Sequence, residues 1–392
     1  SLSSSSVDEV IQKRLLEKTG TAAAYLTAAY DGQYAAILRN VFSFKDAPRD
    51  MRGYNNAADY TANFPFVPYQ FLLLQKAFAA IRRHGNAGQH HSGGERSMLS
   101  AFQETAQRLQ ERDEYALAPF FHFYDSVHGF LDSSIRQVIE RAQQAGDRGD
   151  GLRPQDVNVL KLLYLIRYIA DDMPANLENL AILMTGDVRV DKIALREEIK
   201  RSLDNLMGQN YIGRSGTGYH FLTNEEQDIQ RGINHTDVDT GMIQGRIHQI
   251  IFADLFMTKK LRYGEYDFDF TPEVDRLDGG GGLRLVVLTA AADPMERAAQ
   301  HVLMKSQGQA VLVLTGASYY ENLEIAMKIR QYVKQQNYAK LPRSVENIIR
   351  GYQDEAARYE KEARDALAAA LLTAEIYVDG EAVTITGRDV KE

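Results

Sequence analysis

Apolar positions along this chain fall mostly at helical spacing, and the clearest stretch runs from Phe64 to Glu104. Phe64-Pro65-Phe66-Val67-Pro68 reads as an extended apolar entry, because a proline drives the residue before it out of the helical region. From about Tyr69 to Arg83, Phe71, Leu74, Gln75, Phe78 and Ile81 recur at three and four residues, which predicts one buried helical stripe. Gly85 and Gly88 stop that helix. A second helix opens with Ser92 as N-cap and Glu95 at the capping-box position, and Met98, Leu99 and Phe102 form its apolar face. Upstream, residues 7–45 predict two helices, and the polar, turn-rich residues 46–63 predict a loop. Downstream, the aromatic run Phe120, Phe121, Phe123 and Tyr124, then Ile135, Val138 and Ile139, predict further packed helices.

Residues 144–154, rich in Gly and Asp and closed by Pro154, read as a linker. Beyond it the pattern is three helices and a hairpin. Val159, Leu160, Leu163 and Ile166 mark the first helix, and Leu177, Leu180 and Met184 the second. Ile193, Leu195, Ile199, Leu203 and Leu206 mark the third, and Tyr211 to Thr223 read as strand, turn, strand. That order predicts a winged helix, with more helix over 224–257. After Gly279 to Gly282 the period changes. Leu283 to Leu288 and Ala310 to Leu314 read as buried strands, with a helix over about 295–306 between them and another over 319–338 following. This is a βαβα unit with a small parallel sheet. A long helix capped by Ser344 then reaches Leu372, and Asp379-Gly380 turns a final hairpin.

Composition narrows the classes. At 392 residues, two or three domains are expected. The net charge of −8 argues against a surface coated in base for nucleic acid, though not against a local patch. There is no cysteine, hence no disulfide, thiol nucleophile or thiolate metal site, which suits the cytoplasm. No apolar run approaches the roughly 20 residues of a membrane span, and Ser1 to Ser6 reads as a flexible tail, not a signal peptide. No G-x-x-x-x-G-K-[ST] occurs. Gly146 to Gly151 and Gly279 to Gly282 both lack the lysine and hydroxyl that hold phosphate and magnesium.

Two ordered motifs, FPFVPYQF and HHSGGERSMLSAFQE, resemble the BrxC/PglY proteins, the large P-loop ATPases of BREX phage-resistance systems. Fainter likenesses follow in LRPQDVNVLKLLYLIRYI, DKIALREEIKRSLDNLMGQNYI and FLTNEEQDI, so the resemblance covers most of residues 15–270. It implies anti-phage defence, use of ATP and magnesium, and assembly with other BREX proteins and with further copies. The family protein is several times longer, with its nucleotide site near its own N-terminus. The expectation is therefore an internal or C-terminal piece that holds no cofactor and does not hydrolyse ATP alone. The fold expected is mainly α with an α/β part. It comprises a helical, AAA+ lid-like domain at 7–148, a winged-helix domain with a helical extension at 155–260, and a small α/β and long-helix domain at 283–388.

Candidate sites follow from these elements. Gly94-Glu95-Arg96 at a helix start has the form of a sensor-2 element, in which Arg96 would read the phosphates of a nucleotide in a neighbouring core domain. Pairing of Arg96 with Glu95 or Glu104 is the other reading. On the third winged-helix helix, Lys192, Arg196, Lys200 and Arg201, with Arg214 near the wing, are candidates for duplex DNA. Asp191, Glu197, Glu198 and Asp204 balance the four helical cations, so docking to protein is preferred unless the cations segregate to one side. Lys259, Lys260 and Arg262 beside Tyr263 and Tyr266 could hold a nucleic-acid strand, but the acidic residues after them favour a solvated loop. Thr315 to Ser318, after the second strand, could accept an anion, with a structural connection preferred. His84, His90, His91 and Glu95 fit no metal geometry well.

Overall fold

Pro65 and Pro68 hold the chain extended just ahead of a long helix, and much of the N-terminal half packs around the aromatic residues on either side of them. In the computed structural model, residues 4–84, 94–337, 340–387 and 390 are described. They are mainly helical, with one six-stranded mixed sheet, and divide into two compact units, one ending at Gln230 and one starting at Arg231.

In the first unit, residues 7–45 form α1 (Ser4–Arg14), α2 (Gly20–Ala29), a π-helical turn (Tyr30–Tyr34) and α3 (Ala35–Val41). The expected loop at 46–63 contains α4 (Ala57–Asn63). It forms because the Asn56 side chain accepts the Asp59 backbone N–H at 2.9 Å, a helix cap that the polar composition concealed. Then come α5 (Tyr69–His84), α6 (Gly94–Leu109), α7 (Tyr124–Val127) and α8 (Ser133–Arg148). Phe71, Leu74, Phe78 and Ile81 of the α5 stripe are buried, but Gln75 is exposed. Gln70 is the buried amide instead: it accepts from Val67 N at 3.0 Å and donates to the Ala118 carbonyl at 2.6 Å. The aromatic expectation holds: Phe66, Phe102, Phe120 and Phe123 are fully buried, and the Phe71 and Phe102 rings stack at 4.6 Å. Lys18 Nζ donates to the Phe64 carbonyl at 2.6 Å and Tyr54 donates to the Phe66 carbonyl at 2.6 Å. The first of the two resemblance motifs is thus a packing centre. The glycines marking the end of α5, and Ser92, lie outside the described residues.

The stretch expected as a linker is a tight connection. α8 runs to Arg148, Gly149 closes it in the left-handed region (φ 72°), and Gly151 repeats that conformation (φ 74°). Gly146 is buried because α8 crosses the next helix there: a β-carbon would come within 2.9 Å of Val157. These glycines serve close approach and sharp turning. Next are α9 (Pro154–Leu165), α10 (Leu177–Leu183), α11 (Lys192–Gly208), a hairpin of β1 (Ile212–Ser215) and β2 (Gly218–Phe221), and α12 (Asn224–Asn234). Ile199, Leu203 and Leu206 face inward as expected, but Ile193 is 78% exposed. One hydrophobic core runs from Ile11 through Phe123 to Phe221.

The second unit holds α13 (Thr240–Gln249) with a π-helical turn (Ile250–Leu255), then β3 (Lys260–Tyr263), β4 (Tyr266–Val274), β5 (Leu283–Leu288), α14 (Ala299–Lys305), β6 (Ala310–Val313), α15 (Ser318–Gln335), α16 (Arg343–Leu372), β7 (Glu375–Val378) and β8 (Glu381–Val383). The six strands lie in chain order in one sheet. β4, β5 and β6 are parallel, and the β3–β4, β6–β7 and β7–β8 pairs are antiparallel. The βαβα unit is its centre, and the Asp-Gly turn is present with φ of 50° at Asp379 and 84° at Gly380. Three expectations change. Residues 260–263 are an edge strand, not a solvated loop. α14 spans only Ala299–Lys305. α16 starts behind Pro342, with no side-chain cap from Ser344.

Parallel neighbours usually need a helical crossover of a dozen or more residues, yet residues 275–282 alone join β4 to β5. Arg284, 7% exposed, holds this short connection. Its guanidinium donates to the carbonyls of Leu277 at 3.0 Å and Arg276 at 2.8 Å, to Gln309 Oε1 at 2.6 Å and to Glu273 Oε2 at 2.5 Å. Gly279 lies directly against it, where a β-carbon would overlap the guanidinium.

Candidate functional site: the open apolar face of the sheet

Side chains of directly paired residues share a sheet face, so the register assigns the faces. On one face, Val286, Leu288, Val311, Val313 and Tyr377 pack with Val302 of α14 into a small core. On the other, the pairs Leu261↔Phe268, Phe270↔Leu283, Leu285↔Ala310, Val287↔Leu312, Leu312↔Ile376 and Ile376↔Val383 draw one apolar band from β3 to β8. Helices cover its middle: Val287 packs with Ile247, Ile251, Leu323 and Leu367.

The band outruns this cover. Leu261, Tyr263, Tyr266 and Phe268 are 53%, 78%, 72% and 44% exposed, and Leu283 and Val378 are also exposed. Between Phe256, Leu261, Phe270, Leu285 and Val378 lies an open hollow of about 470 Å³. A second hollow of about 320 Å³ lies between Phe252, Phe256, Leu312, Ile376 and Ile385. Single exposed apolar residues are ordinary, but a contiguous set is uncommon on a monomer surface and makes this face the candidate site. The opposite face of the β3–β4 hairpin is charged, with Lys260 across from Asp269 (Nζ to Oδ1 3.8 Å) and Arg262 across from Asp267. Alternation of Lys, Leu, Arg and Tyr, then of Tyr, Asp, Phe, Asp and Phe, was the period-two signal that could have found this hairpin.

The residues singled out from sequence are placed as follows. α6 begins at Gly94, but the side chains of Glu95 and Arg96 lie outside the described residues. Lys192, Arg196 and Lys200 are spaced i, i+4, i+8 and so share one side of α11, while Arg201 is displaced around the helix. Each has a local partner. Lys192 donates to the Asn40 carbonyl at 3.1 Å, Arg196 meets Glu178 at 3.3 Å and Glu197 at 3.2 Å, Lys200 meets Asp204 at 2.8 Å, and Arg201 pairs with Glu198. Arg214 donates to the Gly216 carbonyl at 3.1 Å and stands over the Tyr219 ring. Three of the four helical cations share one side, and Arg196, Lys200 and Arg201 carry carboxylate partners.

Thr315 to Ser318 is an exposed turn in which Gly316 has φ 73° and Thr315 Oγ1 lies 3.0 Å from Thr373 Oγ1. His84 stacks on Tyr168 at 4.7 Å, and His90 and His91 lie outside the described residues. Among the described residues no group of three or more His, Asp or Glu could hold a metal ion, and no helix is long and apolar enough to cross a membrane. Within the two glycine stretches, Gly146 packs on Val157 and Gly279 on Arg284.

Residues 236–392 match the family described as BREX ATP-binding protein BrxC 4th domain with six-stranded beta sheet. The match supports a BrxC-family protein. The matched residues include all six strands of the sheet, and hence the open apolar face. A BrxC-family domain suggests a component of a BREX system. No solved structure matches the chain.

Proposed function

We propose that this BrxC-family chain is a regulatory and scaffolding portion of a BREX anti-phage defence ATPase, and that it docks partner subunits through the open apolar face of its C-terminal sheet. One observation carries the reading: in the residues that match the family, the apolar band extends past its helical cover onto an exposed hairpin. Other BREX proteins are the first partners to consider, in the cytoplasm, with self-association as a further contact. In this reading residues 7–148 act as an AAA+ lid-like domain and Arg96, beside Glu95, senses nucleotide held elsewhere in the full-length protein. ATP and magnesium belong to that other part, and the chain is not catalytic alone. Residues 155–260 act as a protein-docking winged helix. Three helices, a hairpin and the short bridge between Asn176 and Gly218 support that assignment. Duplex DNA on Lys192, Arg196, Lys200, Arg201 and Arg214 is the weaker reading, because phosphate would have to displace the carboxylates already in place at Arg196, Lys200 and Arg201.

The test is co-purification with the other BREX proteins from cells carrying the whole system. Leu261→Asp and Phe268→Asp each put a charge on the exposed band without touching a buried residue, and the expected result is loss of co-purification at unchanged thermal midpoint. Full retention with both variants would refute the docking reading.

A further inference from the structure

We propose that the free edge of β3 accepts a seventh strand from a partner, an extended segment that alternates acidic with aromatic or aliphatic side chains. The inference rests on the docking reading above and gives the docked segment its chemistry.

β3 and β8 are the two outer strands of the sheet. Gly264 and Glu265 form a two-residue hairpin turn between the paired residues Tyr263 and Tyr266, with Gly264 at φ 61°. In such a hairpin the closing pair exchanges both hydrogen bonds, and bonded and non-bonded pairs then alternate. Tyr263 and Leu261 therefore bond toward β4. Lys260 and Arg262 direct their backbone N–H and C=O groups outward, to the open edge. The side chains of these two residues line the charged face, and Leu261 and Tyr263 continue the apolar band. An incoming strand thus meets backbone groups ready to pair, one row of cations and one row of apolar groups.

The strand already paired with β3 shows which sequence satisfies both rows. β4 sets Asp269 and Asp267 across from Lys260 and Arg262, and Phe268 and Tyr266 across from Leu261 and Tyr263. A basic strand on the outer edge would set like charges opposite each other, which destabilises a pair. A second copy of β3 fits poorly in either antiparallel register. One register brings Lys260 against Arg262 of the second copy, and a one-residue shift sets each copy's apolar face beside the other's charged face. Lys and Arg on an edge guard against indiscriminate pairing, so this edge is selective for acid.

The probe is a fluorescent peptide with the β4 sequence Tyr266–Val274, YDFDFTPEV, titrated against the whole chain at low salt and read by anisotropy. The control peptide carries Asp267→Lys and Asp269→Lys. The acidic peptide is expected to bind about tenfold more tightly than the control, from two cross-strand charge pairs reversed in sign, and to weaken as salt rises. Arg262→Pro in the chain removes an outward N–H and leaves the bonds to β4 intact, and it should abolish binding. The double variant Lys260→Glu/Arg262→Glu should reverse the preference between the two peptides, at an unchanged circular dichroism spectrum. Equal binding of both peptides, no binding of either, or undiminished binding to both variants overturns the inference, as does a concentration-dependent dimer that excludes the peptide. If the peptide fails while Phe268→Asp still abolishes co-purification, strand addition is wrong and docking stands. If the peptide binds as expected while Leu261→Asp and Phe268→Asp leave co-purification intact, the docking reading fails instead.

Discussion

Replacing Arg284 with Met should open the second unit at the β4–β5 connection. Methionine keeps much of the buried volume, so the loss is electrostatic. The substitution leaves Glu273 without its partner at 2.5 Å, and the Leu277 and Arg276 carbonyls without their donor. Removing one member of a buried ion pair costs about 3–5 kcal/mol. Glu273 retains some solvent, with 20% of its side chain exposed, which favours the lower end of that range. The carbonyls add about 1 kcal/mol each, less what water restores once the loop loosens. A total of about 3–5 kcal/mol corresponds to a fall of roughly 10 °C in the melting midpoint of a unit this size. Thermal and urea unfolding of the whole chain measure the total. Hydrogen exchange then locates it, with protection lost first in residues 275–290. The sharper test is the double variant Arg284→Met/Glu273→Met. With no charge left uncompensated, it should be more stable than Arg284→Met alone. A single-variant loss under about 1 kcal/mol, or a double variant that simply adds its two losses, would refute the account.

Gly279→Ala should destabilise by about 1–3 kcal/mol through overlap with the pinned guanidinium, and a double-mutant cycle should show that most of the loss disappears in an Arg284→Met background. Asp156 is fully buried; burial alone would raise its pKa, but hydrogen bonds from the Arg153 side chain and backbone, Ser202 and Asn205 prevail and hold it below the usual carboxylate value. The stability it contributes is present above the unfolded value near 3.9 and lost as pH falls through the lower folded value, so Asp156→Asn should destabilise by about 3 kcal/mol at pH 7 and flatten the acid limb of urea midpoints against pH. Burial, and then Arg108, lowers the His122 pKa to about 4. The unfolded chain binds the extra proton between about 6.5 and that value, so stability falls with acidity across this window, and His122→Gln should remove that part of the slope.

Helices were legible where one stripe of apolar residues decides burial, as in α5 and the inner half of α11. They were misread where a position lies at the end or on the flank of a stripe. Ile193 keeps the helical spacing but falls in the first turn of α11, beyond the packed core, and Gln75 belongs to a stripe whose buried amide is Gln70. The Asp379-Gly380 turn was legible because positive φ at two successive positions selects those residue types. The band on the sheet was not, because it joins residues from six strands, and which of them stand side by side depends on a register no local pattern encodes. Arg284 was equally hidden: one arginine in an apolar strand gives no local sign of the partners that bury it.

The two charged surfaces explain why a count of charges misled at one and served at the other. Along α11 Arg196, Lys200 and Arg201 find their acids within a few residues or on the adjacent α10, so counting along the chain already reports most of the neutralisation that the structure shows. In the β3–β4 hairpin the acids lie across the turn. The same count suggested a solvated loop, although the acids satisfy only one side of β3. A helix presents its charges on a surface that its own neighbours close. An edge strand has a second side with which no described strand pairs, and its backbone groups there keep the direction and spacing that β4 uses on the first. For that reason an acidic, apolar-alternating strand is the more decisive probe of this chain than a further search for phosphate on α11.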